Sequence, residues 1–355
     1  MSLKISINSL YGALANEYFP LFNRDIAASI TGNGRIFIQG VANYVNEKLR
    51  SFLKTDHDFL VYGDTDSVYF SLEKIVDKLT VTKTADILDK MVSFDQKFID
   101  GWVQEYIELY SDNFNAFNRS VIGAKLEKIA DKGIFVAKKK YALRAVWDEG
   151  SYLVENPKMA VTGLEIVRSS TPKFCRVYLK KSLPIIMDQD EKAVADFIKD
   201  VKVKFMEAPL DDIARVSGIG TLSYIGDIGS RFIKVKDNGS YDLNKMGKPQ
   251  TAPINARAAL NSNIFAREQG IDSTFPQITA KDKIKYIFLK TPNIVGDDVI
   301  AFFDSRFLEK SGVDEMADRE HMFETFFMQP LNLMLDAVQY NVKKNFEMDL
   351  DAWDF

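Results

Sequence analysis

The stretch from Phe59 to Ser71 constrains the fold most, because two short apolar runs flank a tight acidic turn. The turn reads Gly-Asp-Thr-Asp at 63–66, and aromatic and β-branched residues lie on both sides of it. This pattern is typical of a β-hairpin. We therefore predict a hairpin over 58–71, with Asp64 and Asp66 at its tip.

Two carboxylates at one turn could bind a hard divalent cation at the rim of a sheet. The alternative is structural, since Asp and Gly are ordinary turn residues that bond their own backbone. A calcium loop of the EF-hand type is excluded, because no third acid, central Gly and closing Glu follow at the required offsets.

A second stretch of interest runs from Lys4 to Gly12, inside a helix predicted over 2–14. Lys4, Asn8 and Tyr11 are spaced i, i+4 and i+7, so they share one helix face. An ammonium, an amide and a phenol ring in that order could contact a triphosphate, a sugar and a base. The same face could equally be the polar side of a surface helix.

Together the two stretches resemble family B DNA polymerases. Asn-Ser-Leu-Tyr-Gly at 8–12 is similar to motif B of the fingers, and Tyr-Gly-Asp-Thr-Asp-Ser at 62–67 is similar to motif C of the palm. Further similarities extend over nearly the whole chain, and they are to the C-terminal part of the replicative polymerases of T-even-like phages.

The resemblance implies a two-metal site and a nucleotide site. Asp66, and then Asp64, would bind Mg²⁺ or Mn²⁺, and Glu127 on the preceding strand is similar to an accessory acid of the family. Lys4 would neutralise the triphosphate and Asn8 would lie along the dNTP. Tyr11 and Gly12 would contact the nascent base pair.

Lys-Lys-Lys-Tyr at 138–141 resembles the family motif that contacts the primer end of the DNA. On a strand, Lys139 and Tyr141 would share one face and Lys138 and Lys140 the other, so that one set meets phosphates and the other a groove edge. The alternative is an edge strand whose lysines only prevent aggregation.

Charge is distributed unevenly along the chain. The 355 residues have a net charge of −4, which by itself argues against a nucleic-acid binder. Seven basic residues nevertheless lie within 125–144 against two acids, and a second basic section spans 231–257. These sections favour contact with primer-template DNA.

The scarcity of Cys and His excludes several classes of chemistry. One Cys and two His rule out an internal disulfide and any usual zinc site. A metal would therefore be held by carboxylates, which favours Mg²⁺ or Mn²⁺. No apolar run could cross a bilayer and no signal peptide is recognisable, so we expect a soluble protein of the cytoplasm, that of the host cell if it is phage-encoded, with no membrane partner.

We predict an α+β fold with an antiparallel palm sheet and packed helices, followed by a mainly helical thumb. The divisions are 1–55 for the end of the fingers and a palm helix, 56–168 for the palm, 169–345 for the thumb and 346–355 for a tail. A long helix is predicted over 24–53, where apolar residues recur on one face. These residues are Ile26, Ile30, Ile36, Ile38, Val41, Val45 and Leu49.

Strand character is predicted from Ser120 onward. Thr171 followed by Pro172 predicts an N-cap and the start of a thumb helix. Pro330 predicts a break in the helical region 315–345.

Two further contacts follow from the resemblance. Arg257 and Asn261 lie at i, i+4 on a helix similar to one that grips the duplex, and both suit phosphate contacts. Leu350, Trp353 and Phe355 resemble the apolar anchors of a sliding-clamp-binding tail, although a frayed terminus is the alternative.

Motif A, an Asp before a Ser-Leu-Tyr-Pro-like run, does not occur in this sequence. We therefore expect the chain to need an N-terminal polymerase half that carries motif A and the exonuclease, and to polymerise little alone. An alternative is a non-catalytic DNA-binding and clamp-tethering module. A metal-dependent nuclease is a third option, in which motif B would have no role.

Overall fold

The computed structural model describes residues 2–115, 122–226, 232–244, 247–248 and 250–340. The chain divides into two compact units, 1–132 with 143–160 and 133–142 with 161–355. Helices and antiparallel strands occur together, which confirms the predicted α+β class. In the described part of the chain, no helix is long and apolar enough to cross a membrane.

The first unit is built from helices around a two-stranded hairpin. Its helices are α1 (Ser2–Leu14), α2 (Arg24–Leu53), the short α3 (Glu73–Val76), α4 (Thr84–Phe94) and α5 (Asp100–Asn113), with a π-helical segment at Asp95–Ile99 between the last two. Its hairpin strands are β1 (Leu60–Asp64) and β2 (Ser67–Phe70). The predicted hairpin and the predicted helices over 2–14 and 24–53 are confirmed.

Helix α2 begins where the side chain of Asn23 accepts hydrogen bonds from the backbone N–H groups of Asp25 and Ile26. It runs through Gly32 and Gly34 to Leu53 without interruption. Its C-terminal half lies in the core with the hairpin and α3 to α5. The buried members of that core are Val41, Val45, Leu49, Phe59, Ile75, Met91, Phe94, Val103 and Ile107.

The apolar side of α2 is buried in its C-terminal half and exposed in its N-terminal half. Ile26, Ile30 and Ile36 are exposed, whereas Val41 and Val45 are buried. Amphipathic spacing predicts which side of a helix is apolar, but another element of the fold has to cover that side.

Helices α2 and α5 pack closely at Gly40. A Cβ atom at this position would lie 1.6 Å from the hydroxyl oxygen of Tyr106, so glycine permits the approach of the α5 side chain. The Tyr106 ring also lies 5.6 Å from the ring of Tyr44. The Tyr44 hydroxyl donates to Glu105, which also pairs with Lys48 at 2.6 Å.

A four-stranded antiparallel sheet follows. It comprises β3 (Lys128–Ala137), β4 (Lys140–Asp148), β5 (Ser151–Tyr152) and β6 (Lys158–Thr162), with β4 between β3 and β5 and also paired with β6. The prediction of strand character from Ser120 is wrong for 122–127, which form no strand, and 120–121 lie outside the described residues.

The second unit combines helices with antiparallel strands. Its helices are α6 (Lys173–Asp188), α7 (Glu191–Glu207), α8 (Leu210–Ile213), α9 (Ile254–Glu268), α10 (Arg306–Ser311), α11 (Arg319–Phe323) and α12 (Gln329–Ala337), and a π-helical segment at Glu324–Met328 joins the last two. Short 3-10 turns lie at Glu165–Val167 and Asp314–Met316. Its strands are β7 (Arg215–Gly218), β8 (Tyr224–Gly226), β9 (Phe232–Lys234), β10 (Lys283–Phe288) and β11 (Val299–Phe302).

Strand β10 is the centre of a three-stranded sheet in this unit, with β11 and β7 on its two sides. Tyr286 pairs with both Ala301 and Arg215 in the antiparallel registers. Helix α9 packs against β11, where the Ser262 hydroxyl accepts a hydrogen bond of 2.9 Å from the N–H of Ala301. The sequence predicts a mainly helical thumb with strands over 284–289 and 299–303, and β10 and β11 confirm these two strands.

Two predicted helix boundaries in this unit are wrong. Thr171 is not an N-cap, because its hydroxyl donates to the Glu165 carboxylate at 2.9 Å and α6 begins at Lys173. Pro330 does not break the helical region. It lies in the first turn of α12, directly after the π-helical segment, where proline's missing N–H costs least.

Candidate active site

The hairpin tip brings the two predicted acids to one tight turn. Asp64 ends β1 opposite Ser67, so Thr65 and Asp66 form the two-residue connection. The backbone N–H of Asp66 donates to the Asp64 carbonyl at 2.6 Å, and the Ser67 hydroxyl donates to the same oxygen at 3.2 Å. Asp64 is half-buried and Asp66 is exposed.

Thr65 stores backbone strain at this tip. Its φ of 51° lies in the left-handed region, which β-branched residues rarely adopt. Such a residue costs on the order of 1–3 kcal/mol, and outliers of this kind cluster at functional sites. The Thr65 hydroxyl donates to Asp64 Oδ1 at 3.0 Å, which fixes the turn and orients that carboxylate.

Helix α2 positions the base of the hairpin through the buried amide of Asn46. Its Nδ2 donates to Asp58 Oδ1 at 2.9 Å, and its Oδ1 accepts from the backbone N–H of Phe59 at 2.9 Å. Phe59 is fully buried, so this amide satisfies a backbone donor that water does not reach. The acidic tip is thus attached to a rigid helix at one end of β1.

The chemistry of the tip suits Mg²⁺ or Mn²⁺, because carboxylate oxygens are the ligands that these hard cations take. Asp64 and Asp66 could supply part of such a coordination shell. In the described part of the chain, no group of three or more His, Cys, Asp and Glu side chains is placed to hold a metal ion. The other ligands of a metal ion at the hairpin tip would therefore have to be supplied by other groups.

Glu127, the predicted third acid, does not lie on a strand. It precedes β3, its side chain is exposed, and its carbonyl accepts a hydrogen bond of 2.9 Å from the N–H of Glu149. Its role as an accessory metal ligand stays a prediction.

The motif-B residues lie on α1, as predicted. Tyr11 is 41% exposed, and no side-chain or distant backbone atom lies within 4 Å of a Cβ built on Gly12. The side chains of Lys4 and Asn8 lie outside the described residues. An exposed ring beside an open glycine leaves room for a flat ligand to approach the helix.

The predicted strand alternation of the three lysines is wrong. Lys138 and Lys139 form the turn between β3 and β4, and Lys139 has a φ of 62°. Only Lys140 and Tyr141 lie on a strand, where the Tyr141 ring stacks on Phe135 with a centroid distance of 5.7 Å. The lysines therefore project from a hairpin tip.

Gly163 supports this lysine turn. Its φ is 65°, and a Cβ atom there would lie 1.8 Å from the carbonyl oxygen of Lys139. Any other residue would clash with the backbone of the turn. Sequence reasoning missed this role, although a glycine directly after a short strand was an available signal.

Several residues of the basic section are paired with acids. Arg144 forms a bidentate pair with Asp131, with contacts of 2.9 and 2.6 Å. Lys128 lies 3.3 Å from Asp148, and Lys125 lies 3.5 Å from Glu149. The positive charge of this section is thus smaller than its sequence indicates.

Arg257 and Asn261 have structural partners in the second unit. Arg257 pairs with Asp297 at 2.6 Å and with Asp298 at 2.7 Å. The buried Asn261 amide donates to Asp297 Oδ2 at 2.9 Å and to the Val299 carbonyl at 2.8 Å. Both side chains connect α9 to the loop before β11, and their predicted phosphate contacts stay predictions.

Two acids outside the hairpin, Asp95 and Asp298, have raised pKa values. Burial raises the pKa of Asp95 to about 6, and the negative charge of Asp100 adds to the rise. Burial also raises the pKa of Asp298, with further contributions from its neighbour Asp297.

The predicted clamp-binding residues Leu350, Trp353 and Phe355 lie outside the described residues.

Comparison with known proteins supports the family resemblance that the motifs indicate. Residues 1–100 match the model of DNA polymerase family B. The chain is 30% identical to the DNA-directed DNA polymerase of Escherichia phage RB69 over 99% of this chain and 38% of that protein. It is 26% identical to the corresponding enzyme of Enterobacteria phage T4 over 98% of this chain and 38% of that protein.

A more distant relative is the DNA polymerase catalytic subunit of Gallid herpesvirus 2, with 24% identity over 83% of this chain and 23% of the relative. The chain spans 38% of the length of each of the two phage polymerases. The hairpin with Asp64 and Asp66 and the motif-B helix lie within the part that matches the family model. Residues 1–100, which carry both motifs, therefore match DNA polymerase family B, and the chain as a whole is similar to the polymerases of phages RB69 and T4.

Proposed function

We propose that this chain forms part of a replicative DNA polymerase and supplies motifs B and C and the thumb. The observation that carries the proposal is the strained hairpin tip with Asp64 and Asp66, in a chain similar along 99% of its length to a phage polymerase. Template-directed nucleotidyl transfer also requires motif A, which another segment or chain provides.

In the proposed reaction, the 3′-hydroxyl oxygen of the primer attacks the α-phosphorus of a dNTP. The bond to the leaving pyrophosphate breaks, and the hydroxyl proton is lost to solvent or base. Asp66 and Asp64 would hold Mg²⁺ or Mn²⁺, which when bound stabilises negative charge on the attacking and leaving oxygens.

The substrate groups would be held by α1. Lys4 would neutralise the triphosphate, and Asn8 would lie along the incoming nucleotide. Tyr11 and Gly12 would contact the nascent pair. The exposed Tyr11 ring and the open space at Gly12 support this placement.

The primer-template DNA would be held by the lysine hairpin tip. Three adjacent cations at a turn can reach phosphates without strand alternation, because turn residues project in several directions. Lys138, Lys139 and Lys140 would contact the backbone, and Tyr141 would support them from β4. Contacts of Arg257 and Asn261 with phosphate would be secondary, since both side chains already bind Asp297.

Two further parts of the proposal concern partners and location. Leu350, Trp353 and Phe355 would anchor the chain to a sliding clamp. A phage polymerase of this kind would act in the host cytoplasm.

Reconstitution tests the proposed function. Primer extension is measured with this chain alone, with a polymerase segment that carries motif A alone, and with the two mixed. We expect extension that depends on Mg²⁺ in the mixture and little with either component. DNA binding without restored extension would refute the proposal and support the non-catalytic DNA-binding module instead.

A further inference from the structure

The first 36 residues concentrate exposed apolar side chains on α1, the turn that follows it and the first two turns of α2. The members are Leu10, Tyr18, Leu21, Phe22, Ile26 and Ile30, with exposed fractions of 52, 88, 67, 44, 49 and 47%. We call this set the α1–α2 apolar surface. All six belong to the first unit, and α1 packs against α2.

The two halves of α2 differ sharply. Ile26 and Ile30 lie one turn apart on one face and are both exposed, whereas Val41, Val45 and Leu49 are buried in the core. Hydrophobic burial stabilises a helix only where another element covers the apolar side. Among the described residues, the side of α2 that carries Ile26 and Ile30 is therefore apolar but not covered by another element.

The size of the surface matches one side of a stable interface. A fully exposed side chain of this class presents on the order of 200 Å², so six of them at these exposures present on the order of 700 Å². A stable protein interface buries about 800 Å² per partner, and patches above a few hundred Å² mark interaction sites. A groove of about 530 Å³ adds a concave site, and its lining combines Tyr18 and Phe22 with the charged Glu17 and Arg24.

We propose that the α1–α2 apolar surface is the docking surface for the polymerase segment that carries motif A. This inference rests on the proposed function, which requires such a segment. The length relation supports this occupant, because the chain spans 38% of its phage relatives and the remainder of their length has no counterpart in it. The surface adjoins Tyr11, so docking there would complete the site beside motif B.

Cysteine labelling tests the proposal directly. The native Cys175 is buried, and burial raises the pKa of its thiol to about 12, so it stays silent toward maleimide at neutral pH. Ile30→Cys places a reactive thiol in the surface. Leu109→Cys on α5 is the matched control, because Leu109 is 50% exposed in the same unit and lies outside the surface.

The rate of maleimide labelling is measured with and without the motif-A segment, supplied as a separate polypeptide from the same source. With that segment at about ten times its Kd, labelling at position 30 should slow about tenfold, since only free chain reacts. Labelling at position 109 should change less than about twofold under the same conditions.

Three results would overturn the proposal. In the first, the segment binds but position 30 is labelled at the rate of the free chain. In the second, the segment does not bind at all. In the third, position 30 is already protected in the chain alone and its mass on a sizing column is that of a dimer, which makes a second copy the occupant.

A second variant measures the energetic contribution. Leu21→Lys combined with Ile26→Lys should weaken binding of the motif-A segment at least about tenfold, which corresponds to about 1.4 kcal/mol. Leu109→Lys should leave the Kd unchanged. An unchanged Kd for the double variant would contradict the proposal.

Primer extension separates this inference from the proposed function. If the mixture extends the primer while position 30 stays unprotected, the proposed polymerase function stands and the proposed docking surface is rejected. Protection without extension would retain the surface and reject the function.

Discussion

The buried amide of Asn46 offers the sharpest test of how the acidic hairpin is held. Asn46→Ala removes both of its hydrogen bonds, one to Asp58 and one from the N–H of Phe59. Asp58 is exposed, so water replaces its lost partner at little cost. The Phe59 N–H remains buried without an acceptor, and that is the main penalty.

The magnitude follows from these two groups. An unsatisfied buried donor costs about 1–3 kcal/mol. Alanine is a better helix former than asparagine by about 0.5 kcal/mol, which offsets a small part. We expect Asn46→Ala to lower the free energy of unfolding of the first unit by about 0.5–2.5 kcal/mol, relative to the wild-type chain.

The assay is urea unfolding followed by tryptophan emission. Trp102 and Trp147 both belong to the first unit, and Trp353→Phe in every variant removes the third tryptophan of the chain. Asn43→Ala on the same helix is the control, because Asn43 is exposed and shares the change in helix propensity. Equal stabilities of the two variants would refute the anchoring role of Asn46.

Three other predictions concern positions away from the motifs. Gly163→Ala should lower the free energy of unfolding in urea by more than about 1 kcal/mol, because Ala is strained at positive φ and its Cβ would clash with the Lys139 carbonyl. DNA affinity measured by fluorescence anisotropy should fall as well, and unchanged stability would show that the turn adapts. Burial raises the pKa of Asp95 to about 6, so the stabilising contribution of its neutral form is complete below the unfolded pKa of about 3.9 and is lost as the pH rises through about 6. Asp95→Asn should therefore stabilise the chain by about 1–2 kcal/mol at pH 8 and hardly at pH 4, and unfolding curves at the two pH values that differ equally from wild type would contradict the titration. Asp297→Ala leaves the half-buried Arg257 with one carboxylate fewer and should cost about 1–3 kcal/mol in thermal or urea unfolding, whereas a neutral effect would show that Asp298 suffices.

Local sequence signals predicted the hairpin and the long helices well. Apolar runs around an acidic turn specify β1 and β2 without help from distant residues, and Asn23 marks the start of α2 by capping it. The lysine turn was mispredicted because its two positions, Lys138 and Lys139, hold none of the residue types that usually form turns. Lys139 adopts a left-handed conformation that glycine or asparagine normally takes.

Features that depend on distant partners were not predictable from local pattern. The role of Asn46 depends on Phe59, which folds against it, although a polar residue beside Val45 in an apolar stripe was a usable signal. The pairing of Arg257 with Asp297 joins residues that are 40 positions apart. The exposure of the N-terminal half of α2 was not predictable, because periodicity identifies the apolar side of a helix but not whether another element covers it.

The central claim is that Asp66 belongs to the chemistry and not to the grip on DNA. The measurement is single-turnover primer extension by the reconstituted polymerase with Asp66→Asn, alongside its affinity for primer-template DNA. Loss of a metal ligand worth about 4 kcal/mol should slow extension about a thousandfold, with DNA affinity nearly unchanged. Asp77→Asn, at an exposed acid of the same unit, should have no effect on either quantity. Wild-type extension rates in the Asp66→Asn enzyme would contradict the account.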